Sequence, residues 1–117
     1  MGIKMNDNSQ LFNAIQKQIE VAEKNGQPIK TYVRQQIDLL KASHDEFIKS
    51  AKQQGYDMNN QKLGEIEVRQ FSAMKQLAIK AGLPVEEYDK LIKEVRIRIF
   101  GEENYKRFFE NQYFLLL

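Results

Sequence analysis

The chain has no cysteine and no tryptophan, one histidine and two prolines among 117 residues. Without cysteine there are no disulfides, no thiolate chemistry and no zinc site built on sulfur. A single histidine, His44, rules out His-x-x-x-His pairs, and no Glu-x-x-His occurs, so a dimetal bundle site is excluded. There is no Gly-rich phosphate loop and no Gly-x-Ser-x-Gly elbow. The longest uninterrupted apolar run is Tyr113–Leu117, far too short to span a bilayer. Met1–Gln10 has no apolar run of the kind a secretory leader needs, so a cytoplasmic protein is expected. The expectation is of no catalytic residues, no cofactor and no metal.

What is present is ordinary for a globular protein. Charged residues make up 29% and hydrophobic ones 42%, with a net charge of only +2. One domain is expected, with residues 1–8 as a loose lead and 9–117 as the folded body. The abundance of Lys, Asn, Gln and Ile suggests a bacterial or phage origin.

One string organises the chain and occurs twice. Ala22-Glu23-Lys24-Asn25-Gly26-Gln27-Pro28-Ile29-Lys30-Thr31-Tyr32 is echoed by Ala78-Ile79-Lys80-Ala81-Gly82-Leu83-Pro84-Val85-Glu86-Glu87-Tyr88. Glycine past the last helical residue takes the left-handed conformation that ends a helix. Proline starts the next one, at the first helical position, where its missing N–H has no partner to lose. Tyr32 and Tyr88 are expected to fold back over Ala22 and Ala78.

The apolar spacing around these hinges predicts an all-α, single-domain bundle of four to five helices. Two helix-Gly-x-Pro-helix units are followed by an aromatic C-terminal helix. Helix 1 covers about 9–25, with Phe12, Ile15, Ile19 and Ala22 on one stripe. Helix 2 runs from about Pro28 to Gln54, roughly 40 Å at 1.5 Å per residue. Its stripe of Val33, Ile37, Leu40, His44, Phe47 and Ala51 alternates steps of four and three, as a bundle seam does. Helix 3 covers about 59–81 with a stripe of Phe71, Met74, Ala78 and Ala81, joined by Ile66 and Leu77, and Gly64 is expected to fray its first turns. Helix 4 covers about 84–100 through Val85, Tyr88, Ile92, Val95 and Ile99. Helix 5 opens at Glu102-Glu103 and carries Tyr105, Phe108, Phe109 and Tyr113, aromatics expected in the core by their usual burial.

His44 sits within an apolar stripe, between Leu40, Lys41, Phe47 and Ile48 one turn either way, none of them a ligand or orienting acid, while adjacent Asp45 and Glu46 point to other faces. It reads as a seam histidine hydrogen-bonded inside the core. Acids precede bases by four residues repeatedly, as in Glu20–Lys24, Asp89–Lys93, Glu94–Arg98 and Glu102–Lys106, which suits paired charges on solvated helix faces. Lys30, Arg34, Lys41 and Lys52 project within about 40° of each other on helix 2, at 100° per residue. That strip could snorkel over the core, or dock an acidic partner or a nucleic-acid backbone.

Leu77-Ala78-Ile79-Lys80-Ala81-Gly82-Leu83, followed by Tyr88 and Leu91, resembles the central part of a helix-turn-helix DNA-binding motif. The resemblance implies a second helix entering the groove N-terminus first. Pro84, Val85, Glu86, Glu87 and Asp89 stand there, and three acids facing phosphates oppose binding. The expected function is therefore non-enzymatic: binding another protein, itself included as a homodimer, as a small inhibitor or accessory factor. A nucleic-acid-binding regulator is the alternative, and no membrane partner is expected. The expected docking residues are Lys30, Arg34, Lys41 and Lys52, with Tyr113, Phe114, Leu115, Leu116 and Leu117.

Overall fold

The computed structural model describes residues 9–110. Four helices carry the fold: α1 (Ser9–Lys24), α2 (Lys30–Gln53), α3 (Gln61–Ala81) and α4 (Glu86–Phe100). A short α5 (Glu102–Tyr105) runs into a π-helical turn, Lys106–Glu110. No strand occurs among the described residues, so the all-α bundle read from periodicity is the fold. The expected lead 1–8 and the segment Tyr113–Leu117 lie outside the described residues.

Both hinges are helix-ending Schellman turns. At the first, Gly26 (φ 68°) donates to the Glu23 carbonyl and Gln27 to that of Ala22, at 3.0 and 2.9 Å. At the second, Gly82 (φ 71°) donates to Ile79 and Leu83 to Ala78, at 3.1 and 2.8 Å. Any side chain is strained at such φ values. The turn after α2 repeats the pattern without a proline, Tyr56 donating to the Ala51 carbonyl at 3.0 Å. In each case the acceptor is an alanine four residues before the glycine.

The prolines stand slightly outside their expected places. The next helices begin at Lys30 and Glu86, not at Pro28 and Pro84. Ile29 and Val85 are the capping residues, with no side-chain cap, and their carbonyls accept the first helical bonds from Val33 and Asp89. Each proline therefore precedes the cap, where it still holds the residue before it out of the helical region. α3 begins in the ordinary way, with Asn60 accepting from the Leu63 amide at 3.2 Å.

One central cluster holds most of the core. Ile15 and Ile19 of α1, Val33, Ile37 and Leu40 of α2, Phe71, Met74, Leu77 and Ala78 of α3, and Tyr88, Ile92 and Val95 of α4 meet in it. Tyr88 and Ala78 are both buried there. Tyr32 lies back over α1, its hydroxyl donating to Gln18 one turn before Ala22. The centre of the arrangement is α3, which packs along α2 on one side and α4 on the other, while α1 rests on α2. The thinnest dimension, 19 Å against 47 and 46 Å, leaves room for about two helix diameters.

Gly64 does not fray α3. It is buried where α4 comes closest, and a β-carbon there would lie 2.6 Å from Cγ1 and 2.9 Å from Cδ1 of Ile99. The missing side chain sets the approach of the two helices. Gly64→Ala is expected to lose about 1 kcal/mol net, because overpacking of about 1–3 kcal/mol outweighs a helix-propensity gain of about 1. In an Ile99→Ala background the same substitution should be neutral or stabilising by urea titration. A gain in the parent chain would contradict the packing role.

Tyr105, Phe108 and Phe109 depart from expectation, while Tyr113 lies outside the described residues. Among residues 101–110 none is buried, and Phe108 is 59% exposed. Phe109 stacks on Tyr105 and meets Phe100 at the edge of the bundle, ring centroids 5.4 and 5.6 Å apart. Gly101 (φ 85°, ψ 155°) breaks the chain direction after α4. The stretch from Glu102 to Glu110 therefore runs along the edge, where Tyr105 and Phe109 meet each other.

Candidate functional site

The seams of α2 and α3 each carry polar residues at one level. On α3 the sequence Leu63, Glu67, Gln70, Met74, Leu77 steps by four and three, so Glu67 and Gln70 face inward with their apolar neighbours. On α2 the matching seam position is His44. All three are buried, at 6% (His44), 4% (Glu67) and 5% (Gln70) exposure.

The three side chains and Arg98 form a chain of polar contacts. The His44 Nδ1 hydrogen-bonds the Gln70 side-chain carbonyl, Oε1. With the Gln70 carbonyl oxygen as acceptor, Nδ1 is the donor. Nε2 lies 3.8 Å from Glu67 Oε1, beyond hydrogen-bond reach. The other oxygen of Glu67, Oε2, accepts from Arg98 Nη2. Arg98 Nε donates to the Met58 carbonyl at 2.9 Å, tying α4 to the turn before α3. The imidazole is tilted against Phe71 with ring centroids 4.4 Å apart. Gln70 Nε2 is buried with no hydrogen-bond partner.

This layer opens into a trough of about 450 Å³ lined by α2, α3 and α4. Glu67 and Phe71 come from α3, Lys41, His44, Asp45, Ile48 and Lys52 from α2, and Glu87, Leu91 and Arg98 from α4, with Met58 from the turn. Across it, Lys41 Nζ donates to Glu87 Oε1 at 2.9 Å and sits 5.6 Å from the Tyr88 ring centroid. Burial pulls the Lys41 ammonium down, but the Glu87 hydrogen bond and the fields of Tyr88, Glu87 and Asp38 outweigh it and hold it above 10.5. Tyr88 is also held above its ordinary value, by burial first.

A raised folded value means stability present below the ordinary value and lost as pH rises through the folded one. The bridge should therefore loosen only above about pH 10.5, and modestly, because it is part-exposed. Lys41→Met is expected to flatten that alkaline decline in thermal melts. An unchanged slope would show that the bridge contributes nothing.

The expected strip on α2 is divided by these contacts. Lys41 is engaged by Glu87. Lys30, Arg34 and Lys52 are exposed and form no ion pair among the described residues. Several charges also leave their expected partners within a helix: Arg98 turns to Glu67, Lys93 to Glu110 at 3.0 Å and Asp89 to Lys75 at 2.5 Å. Glu102–Lys106 is seen as expected, at 3.8 Å.

The polar neighbours of His44, Gln70 bonded to it and Glu67 beyond bonding reach, come from α3, which the reading of α2 alone missed. The signal was the polar pair Glu67 and Gln70 inside an otherwise apolar seam. The helix-turn-helix-like corner is an αα-corner with Leu77, Ala78, Leu83 and Tyr88 buried inside it. Glu86, Glu87 and Asp89 stand exposed at the start of α4.

A second cleft, about 350 Å³ and more apolar, lies between α3, α4 and the π-helical turn. Gly64, Val68, Val95, Ile99, Phe100 and Phe109 line it, with Arg96 4.5 Å from the Phe109 ring centroid. No group of three or more His, Cys, Asp or Glu residues suited to a metal occurs among the described residues. No described helix is long and apolar enough to cross a membrane. In comparisons with known proteins, no family model, no curated protein and no solved structure matches the chain.

Proposed function

We propose that the chain is a non-enzymatic protein-binding module, a small accessory or inhibitory factor that docks through its aromatic C-terminal edge. The observation that carries this reading is the pairing of exposed rings with an apolar cleft on one edge. Phe108 is 59% and Phe100 38% exposed, and Phe100 and Phe109 line the cleft over Gly64, Val68, Val95 and Ile99. Exposed apolar surface of this kind, rimmed by polar residues, marks interaction sites. Tyr113–Leu117 continues the apolar character in sequence. A second copy of the chain is the simplest occupant, because a knob and a hole on the same patch satisfy a two-fold interface.

Sedimentation of the full chain tests it. A mass above 13.8 kDa that falls on dilution is expected, and Phe108→Ser should return the monomer with helicity unchanged. Deleting 113–117 should reduce association and leave the melting temperature in place. A concentration-independent monomer, or a collapse of helicity on deletion, would reject the docking edge.

Nucleic-acid binding is a second reading, favoured only by Lys30, Arg34 and Lys52, which lack acidic partners among the described residues. Phosphate contacts weaken steeply with salt, whereas an apolar protein contact does not. Retention on DNA that vanishes between low and moderate salt, and needs these cations, would support it.

A further inference from the structure

We propose that Asn25 is a site of spontaneous deamidation, and that the helix-ending turn at Gly26 sets its rate. The inference uses no residue of the docking edge and is independent of it.

Three helices end on the same turn, and the residue before the glycine differs in each: Asn25, Gln54 and Ala81. Asparagine is a chemically labile residue. Its side-chain amide can be attacked by the backbone nitrogen of the next residue, and glycine leaves that nitrogen unscreened because it has no side chain. Asparagine closes a five-membered ring in this reaction, glutamine a less favourable six-membered one, and alanine offers no amide. Asn25 is the only asparagine in the chain followed by glycine. Both residues are exposed, so water reaches them. The Gln54 carboxamide is also held, donating to the Ser50 hydroxyl at 2.8 Å, whereas that of Asn25 takes no hydrogen bond among the described residues.

The reaction replaces one amide by another. The Gly26 nitrogen bonds to Asn25 Cγ and the Cγ–Nδ2 bond breaks. Nδ2 leaves as ammonia, taking the proton that the Gly26 nitrogen gives up. Water then hydrolyses the cyclic imide at either carbonyl. One product is aspartate. The other is isoaspartate, whose main chain runs through Cβ and Cγ and is one atom longer.

The folded turn withholds the nucleophile. The Gly26 N–H donates to the Glu23 carbonyl at 3.0 Å, and its neighbours Asn25 and Gln27 donate to Val21 at 3.1 Å and Ala22 at 2.9 Å. Attack requires the Gly26 N–H to leave Glu23, so the reaction follows the fraction of time that the turn is undone. Afterwards the turn cannot re-form as it was. The Glu23–Gly26 and Ala22–Gln27 bonds both close rings through residue 25, and isoaspartate enlarges both rings. Either product also places a carboxylate at the negative end of α1.

Peptide mapping by mass spectrometry, on the full chain held in mildly alkaline buffer, tests this. Asn25 should be converted first among the asparagines of residues 9–110. The free 21–32 peptide should react at least about tenfold faster than the folded chain, the factor being the ratio of formed to undone turn. Urea below the unfolding midpoint should bring the two rates together. The isoaspartate chain should melt below the parent, and Asn25→Asp, which adds the charge without the extra atom, should melt nearer to it. Asn25→Gln, which repeats the arrangement at Gln54, should keep the parent's melting temperature and end the reaction at this site. Another asparagine of that range converting first, equal rates in peptide and folded chain, or a melting temperature unmoved by isoaspartate would each overturn the proposal.

Discussion

Replacing Arg98 with alanine is expected to lower stability by about 3–5 kcal/mol. Glu67 is only 4% exposed, and the nearest imidazole nitrogen, His44 Nε2, lies 3.8 Å from its Oε1, beyond hydrogen-bond reach. The Arg98 guanidinium is the cation that compensates it. Removing it leaves a buried charge without a partner, and the same change frees the Met58 carbonyl. The whole fold is stabilised by about 5–15 kcal/mol, so the loss is a large share. Urea titration should show a much lower midpoint with a similar slope. Glu67→Gln should cost less, because the Arg98 side chain, 31% exposed, can turn to water. Exchanging both for apolar residues of similar volume should cost far less than Arg98→Ala, as happens when buried ion pairs are replaced whole. An Arg98→Ala chain within about 1 kcal/mol of the parent would mean that Glu67 reaches solvent.

The second large effect is at the neighbouring pair. His44→Leu should cost about 1–3 kcal/mol, because it strips the Gln70 amide of its only bond while leaving it buried. Gln70→Leu alone should cost a similar amount by orphaning Nδ1. The double variant should lie close to the parent or above it, since both partners leave together and the orphaned Nε2 of Gln70 goes with them. The cycle isolates the coupling between the two side chains. Additive losses would contradict a specific bond and point to packing alone.

Helix positions were legible because each was written locally. Gly26 and Gly82 announce left-handed turns, and the four-three spacing of Val33 to Ala51 fixes the inward face of α2. Pro28 and Pro84 missed by two residues because a proline before a cap restrains the chain much as one after it would. The polar layer was half legible. His44 stood out in its stripe, but Arg98 looked like a surface charge paired with Glu94 four residues before it, and Glu67 was given no role. Which pairing wins depends on the distance between helices, and one-dimensional spacing does not carry that. Gly64 is the same lesson: a propensity scale sees a weak helix former, and only the neighbouring Ile99 makes it a spacer. Tyr105, Phe108 and Phe109 misled because base rates for burial carry no chain direction, and the turn at Gly101 takes these rings along the edge of the bundle.

The position of α1 has a consequence for how the molecule opens. Its buried anchors are Ile15 and Ile19, while α2, α3 and α4 share the rest of the central cluster. A unit attached through so few side chains can detach without disturbing the remainder. Amide exchange in α1 would then proceed by a partial opening of lower energy than full denaturation, with the Gly26 turn acting as the pivot.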